Sequence, residues 1–279
     1  MLRHVNRLRS AVYGIAIGDA LGLPVQFQSR DSYPEVTEMI KGELPWPAGT
    51  WSDDTSLTLA TVDSLLTCEG VDVPDMRARF MDWMDNGAYT QDGEAFDQGF
   101  TTVHALTHGR GCTNEQSNGN GSLMRILPLA FVKNLSDEQI AQVSGITHAH
   151  PLSVEACTVY VHAAQLILDG FSLTEALETA SLSSEIFSYL ADIGSKKRNE
   201  IRSTGYVKDS LEASFWCLLT TDNFRDALIR AVNLGDDTDT IGAITGGMAG
   251  VVYGMESVPD SWMNALRKKE IIERCLASQ

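Results

Sequence analysis

The stretch NLGDDTDTIGAITGGMAGVVYG, residues 233–254, places three aspartates within four positions just ahead of an apolar run with glycines at 242, 246 and 250. Asp236, Asp237 and Asp239 repel one another when ionised, so solvent or a cation must offset the crowding. Capping of the helix that follows explains one carboxylate but not readily three. An EF-hand does not fit, because counting from Asp237 puts Ile241 at the fifth ligand position and Met248 where the bidentate glutamate belongs. What remains is a hard-cation site of carboxylate and hydroxyl oxygens, suited to Mg²⁺ or Mn²⁺ rather than zinc. Each helical glycine costs about 1 kcal/mol relative to alanine, so Gly242, Gly246 and Gly250 on one face read as a surface that another backbone approaches. The run is too short for a membrane helix, which leaves a tightly packed core helix that holds the aspartate loop against a neighbour.

A second acidic cluster lies far away in sequence. In WSDDTSL, Ser52, Asp53, Asp54 and Thr55 open a segment whose Leu57, Ala60, Leu65 and Leu66 fall on one helical stripe. Taken alone, this cluster reads as a helix cap with carboxylates favoured by the helix dipole. Between the two clusters runs SNGNGSLMR, with Ser117, Asn118, Gly119, Asn120, Gly121 and Ser122. Such a loop offers successive N–H groups to a phosphate, or is simply a tight turn. It lacks the GK[ST] ending of a nucleotide triphosphatase loop. THAHP adds His148 and His150, a pair that is more often structural than catalytic.

Helical periodicity extends over most of the chain and strand alternation is nearly absent. Helices are expected from Ser153 to Asp169, after the capping pair Ser172 and Glu175, from Asp209 or Ser210, from Asp222, and from Pro259–Asp260 to Leu276. The fold class expected is all-α, a globule of ten or more helices. Loops are expected at 34–51, 88–99, 107–121 and 194–206, the last a basic stretch that reads as a solvated charge run or a mobile lid.

Composition narrows the function classes. The 279 residues are 43% hydrophobic and 21% charged, and 21 basic against 37 acidic residues give a net charge of −16. That charge disfavours nucleic acid and anionic membrane surfaces, and it requires metal ions or oriented N–H groups for any phosphate ligand. Cys68, Cys112, Cys157, Cys217 and Cys275 are odd in number and form no CxxC pair, as expected of reduced thiols in a cytoplasmic protein. The basic start MLRHVNRLRS leads into an apolar run broken by Gly14, Gly18 and Asp19, a poor signal peptide, and no 18-residue apolar span is expected.

Together these segments resemble the ADP-ribosylglycohydrolase family, which includes the dinitrogenase reductase-activating glycohydrolase and the ADP-ribosyl-arginine and ADP-ribosyl-serine hydrolases. The resemblance is carried by GIAIGDALGLPVQF (14–27), GTWSDDTSLTLA (49–60), FDQGFTT (96–102), NGNGSLMRILPLA (118–130), THAHP (147–151), TGYVKDSLEASFW (204–216) and residues 224–254. It implies one compact all-α domain over 1–279 with a two-magnesium or two-manganese centre. The implied metal ligands are Ser52, Asp53, Asp54, Asp237, Asp239 and Thr240, with Asp236 second to them or solvated. Asp53, Asp54 and Asp97 are the implied catalytic carboxylates, Asp54 or Asp97 acting as base. Asp97, Gly99, Ser117, Asn118, Gly119, Asn120, Gly121, Ser122, His148, Tyr206 and Gln26 are the implied substrate positions. The implied reaction is Mg²⁺-dependent release of ADP-ribose from a modified acceptor, foremost an arginine side chain, by a cytoplasmic monomer. Many relatives carry glutamate where this chain has Gln26. Gln26 is no general base, so either an aspartate takes that role or the protein is a slow or non-catalytic ADP-ribose binder. Serine, poly-ADP-ribose and small-metabolite linkages are the other substrates in view.

Overall fold

The computed structural model describes residues 2–42 and 45–277. Glu43 and Leu44 of the expected 34–51 loop lie outside the described residues. Among the described residues there are twelve α-helices, seven short 3₁₀ turns and no β-strand. In chain order they are α1 (Val5–Gly22), α2 (Asp53–Thr67), α3 (Val73–Asn86), α4 (Phe100–His108), α5 (Asp137–Ser144) and α6 (Pro151–Leu168). There follow α7 (Leu173–Leu182), α8 (Val207–Leu219), α9 (Phe224–Val232), α10 (Thr238–Tyr253), α11 (Asp260–Ala265) and α12 (Lys269–Leu276).

α1 and α10 form the most extensive helix pair, and they meet along a seam of small residues. A Cβ built on Gly14 would lie 2.0 Å from the Gly246 carbonyl oxygen, and one on Gly18 would lie 1.9 Å from that of Gly242. At the two ends, Gly22 meets Thr238 and Gly250 meets Ser10. The neighbour that the α10 glycines require is therefore α1, whose Gly14, Gly18 and Gly22 repeat the same four-residue spacing. Ser10–Gly22 of α1 and Thr238–Val251 of α10 are buried on every side, with α2, α6, α8 and α9 packed against one or both helices. A helix enclosed on all faces has no polar stripe, which is why α1 shows no amphipathic signature.

Ser172 and Glu175 form the expected capping box at α7. Three expected boundaries move. α8 begins at Val207, because Asp209 is already in the first turn, where its carboxylate accepts a bond from the Thr204 hydroxyl. α9 is capped by Asn223, whose Oδ1 accepts from the Asp226 N–H at 2.9 Å, and not by Asp222. The expected terminal helix is two helices, broken at Leu266–Lys268, where Lys268 is left-handed. The break lets the Arg267 N–H bond to Gly49 O and its guanidinium reach Thr50 and Asp92, which ties down the chain leading into α2.

α6 also departs from expectation, since its 18 residues are long and apolar enough to cross a membrane by composition. It packs against α5, α7 and α8, and the Tyr160 hydroxyl donates to Ile244 O at 2.6 Å. The basic 194–206 segment is mostly exposed, as expected of a solvated charge run, yet it is tied to the fold. Arg30 donates to Arg198 O and Ile201 O at 2.6 Å each, and Arg198 pairs with Asp31.

The seam yields a sharp test. Gly18→Val should destabilise the protein by at least about 3 kcal/mol or prevent folding, because the clash is with backbone. Gly70→Ala, where nothing lies within 4 Å of the added carbon, should change stability by less than about 1 kcal/mol. Thermal denaturation followed by circular dichroism compares the two, and equal effects would refute the seam as a steric constraint.

Candidate active site

The two acidic clusters meet at the ends of α1, α2 and α10. Asp19 of α1 is fully buried, and both its oxygens are engaged by the start of α2. The Ser52 N–H donates to Oδ1 at 2.9 Å, while the Thr55 N–H and hydroxyl donate to Oδ2 at 3.1 and 2.6 Å. Asp19 thus holds the α2 N-terminus from a neighbouring helix, satisfying N–H groups that have no partner within α2. Sequence reading noted Asp19 only as a break in an apolar run. Its signal was a lone charged residue beside Gly18 in an otherwise uncharged run from Ser10 to Gly22.

Asp54 and Asp239 are different. Oδ1 of Asp54 and Oδ2 of Asp239 are buried without any hydrogen-bond partner. The carboxylates of Asp19, Asp54 and Asp239 offer oxygens within 4.8 Å of one another. The hydroxyls of Ser52 and Thr240 both point at Asp54 Oδ2, at 3.1 and 3.4 Å. Unpartnered buried carboxylate oxygens are costly, and a ring of them with two hydroxyls is a donor set that a hard cation fits. Burial first, then the charges of Asp19 and Asp53, raise the Asp54 pKa well above the carboxylate range. Burial with Asp97 does so for Asp53, and burial with Asp237 and Asp54 for Asp239. Asp19 is pushed up to about 7 by burial. Asp236 is exposed at the turn, φ 58°, away from the buried cluster.

A cavity of about 240 Å³ opens beside the cluster. Its lining includes Asp53, Asp237 and Thr240, the loop residues Gly119, Asn120 and Gly121 with His148, and Gln26, Asp97 and Gly99. The Gln26 amide donates to Asp97 Oδ2 at 2.6 Å. Asn120 is turned inward, its Nδ2 donating to Asp237 Oδ2 at 2.6 Å and to Ser210 Oγ at 2.9 Å, so it locks the glycine loop to the aspartate loop. His148 lies over both glycines: a Cβ on Gly121 would be 2.8 Å from its Cε1. Burial, then the Arg125 charge, lowers the His148 pKa to about 3, which makes it a neutral imidazole. Phe27, Phe100, Thr101, Thr102 and Met124 also line the cavity and were not singled out from sequence, although Phe100–Thr102 lie in the FDQGFTT segment.

Four expected substrate positions do not line it. The Ser122 hydroxyl is buried against Ser144 and Cys157, and the Asn118 side chain bonds Ser153 and Glu115 O. Ser117 bonds Asn114. Tyr206 pairs through its backbone with Gly119 and is 42% exposed. Within the loop the N–H groups of Ser117 and Asn120 are engaged by Asn114 O and Gly205 O, so the loop does not offer a continuous row of free donors, and Gly119 and Gly121 are its glycines that line the cavity. His150 caps α6, its Nδ1 accepting from the Leu152 N–H.

Known proteins share this architecture. A family model described as ADP-ribosylglycohydrolase matches residues 2–279. The chain is 33% identical over 290 residues to the ADP-ribosylarginine hydrolase Tri1 of Serratia proteamaculans, covering 99% of this chain and 79% of that one. It is 29% identical to the ADP-ribosyl-(dinitrogen reductase) glycohydrolase of Rhodospirillum rubrum, covering 98% and 94% of the two chains. A solved structure described as an ADP-ribosylglycohydrolase-related protein complex superposes with a TM-score of 0.82 at 30% identity, covering 98% of this chain and 96% of that one. With the family model spanning residues 2–279 and the same all-helical architecture in a solved relative, the chain belongs to the ADP-ribosylglycohydrolase family.

Proposed function

We propose that this glycohydrolase cleaves the N-glycosidic bond between ADP-ribose and an arginine side chain, with two Mg²⁺ or Mn²⁺ ions as cofactors. The observation that carries the reading is the pair of unpartnered buried oxygens, on Asp54 and Asp239, beside a cavity closed by a glycine loop. The arginine linkage draws on the relatives of Serratia proteamaculans and Pseudomonas putida, both named ADP-ribosylarginine hydrolase. Asp54 and Asp239, with Ser52, Asp53, Asp237 and Thr240 around them, would hold the ions. Divalent cations bound there would offset the buried negative charge and polarise oxygen ligands.

The protein's own groups divide the remaining work. Gly119 and Gly121 direct N–H groups toward the diphosphate, away from the carboxylates that would repel it. Breaking the bond at the anomeric carbon builds positive charge on the ribose, which Asp53, Asp97 and Asp237 stabilise from the cavity wall. The bonding electrons leave with the guanidine nitrogen; water adds to the anomeric carbon as hydroxide, and the proton it gives up to Asp97 balances the one the nitrogen gains. Asp97 is the base for the incoming water: Gln26 holds its Oδ2, leaving Oδ1 for the proton. Gln26 thereby supports the base as a hydrogen-bond donor in place of acting as one.

ADP-ribose release should stop in EDTA and return with Mg²⁺ or Mn²⁺. Asp53→Ala and Asp239→Ala should each lower turnover by at least about a thousandfold with helicity unchanged. Across peptides linked through arginine, serine, cysteine and glutamate, the arginine substrate should react fastest. EDTA-insensitive release, or faster serine cleavage, would overturn the assignment.

Stability should follow the raised carboxyl pKa values. A carboxyl that titrates higher folded than unfolded contributes its full stabilisation below the unfolded pKa and loses it as pH rises through the folded one. The metal-free protein should therefore melt at lower temperature at pH 8 than at pH 5.5, and Mg²⁺ should remove most of that difference. A melting temperature in EDTA that rises with pH over this interval would contradict the protonated-cluster picture.

A further inference from the structure

We infer that the groove beside the active cavity is the acceptor subsite and that it takes a planar organic cation, a guanidinium, against an aromatic wall. The inference rests on the proposed site of bond cleavage. The groove measures about 390 Å³ and shares Gln26, Phe27 and Asp97 with the cavity. A bond broken at that shared wall leaves one product on each side of it. The glycine loop, with Gly119 and Gly121, lines the cavity and not the groove, so the anionic ADP-ribose belongs to the cavity and the acceptor to the groove.

The chemistry of the groove selects the acceptor. Trp46 and Phe96 form its wall, stacked with ring centroids 4.3 Å apart and planes at 22°. Phe27 stands at the junction, 73% exposed and with a left-handed φ of 62°, its N–H held by Asp236 O at 2.6 Å. Among the described residues the groove's lining contains one charged side chain, Asp97. Aromatic faces beside a lone carboxylate attract a cation, and a flat guanidinium stacks on them better than an ammonium does. No cationic side chain lines the groove, so no charge of the protein's own competes for Asp97, whose groove-side partner is the neutral Gln26 amide, and no cation there favours a phosphate. A serine-linked acceptor brings no cation to this wall. The groove therefore accounts for a preference for arginine linkages that the cavity, which contacts only the shared ADP-ribose, does not supply.

Trp46→Ala tests this without touching the catalytic carboxylates. It should raise KM for an ADP-ribosyl-arginine peptide by about five- to thirtyfold, with kcat and the Kd of free ADP-ribose each within about twofold of wild type. Trp46→Phe should recover most of the loss. KM for a serine-linked peptide should not respond. An unchanged arginine KM, or a parallel loss of ADP-ribose affinity, would overturn the inference. Binding of Nα-acetyl-argininamide to the ADP-ribose complex, followed by NMR, separates the subsite from the reaction. Trp46-dependent binding in a protein that cleaves no arginine linkage would overturn the proposed reaction alone, whereas absent or Trp46-independent binding would overturn the subsite.

Discussion

Gly14 and Gly18 of α1 lie against Gly246 and Gly242 of α10 so closely that a single added carbon on either side would meet a carbonyl group. That contact sets the spacing of the two helices at the centre of the fold, and the acidic residues ride on it. Asp19 follows Gly18 by one residue, and Asp239 precedes Gly242 by three. Bringing the glycine faces together therefore brings these two carboxylates together at one end of the seam, beside the start of α2. The conformational cost of six helical glycines, each about 1 kcal/mol relative to alanine, is offset by the packing of the buried stretches Ser10–Gly22 and Thr238–Val251.

The carboxylates assembled this way do not share one task. Asp19 has both oxygens engaged by N–H and hydroxyl groups of α2, so it acts as a strut that orients Ser52, Asp53 and Asp54. Asp54 and Asp239 each keep an oxygen that nothing in the protein satisfies. A cluster optimised for stability alone would pair those atoms or replace them. Leaving them bare is the mark of a site that awaits a ligand, and it explains why an acidic protein concentrates like charge at its most buried point. The glycines and His148 add neutral lining to the same cavity.

Much of this was legible beforehand, for identifiable reasons. Amphipathic helices such as α9 and the capping box of α7 show in the sequence because they have a wet face and a dry one. α1 did not show, because its Ser10–Gly22 stretch is buried on every side and has no amphipathic period to read, whereas the equally buried α10 was read from its glycine spacing. The aspartate crowding at 236–239 pointed to a cation by itself, whereas the cluster at 52–54 reads locally as a helix cap and was joined to it only by the family resemblance. Side-chain direction in the 117–122 loop was not legible. Residues in a turn alternate between cavity and core according to contacts such as Ser122 with Ser144 and Cys157, which are distant in sequence.

By itself the sequence determined the all-α class and, through its motifs taken together, the family; of the clustered carboxylates it pointed to Asp54 and Asp239 but not to Asp19. Only the tertiary structure decided how they are used. It assigned Asp19 to hold a helix, turned Asn120 inward to Asp237, set Gln26 as a donor to Asp97 and placed Trp46 and Phe96 beside the same cavity. Each of those outcomes depends on partners dozens to hundreds of positions apart, whose distances are fixed by how α1, α2 and α10 pack. Local sequence carries no record of that geometry.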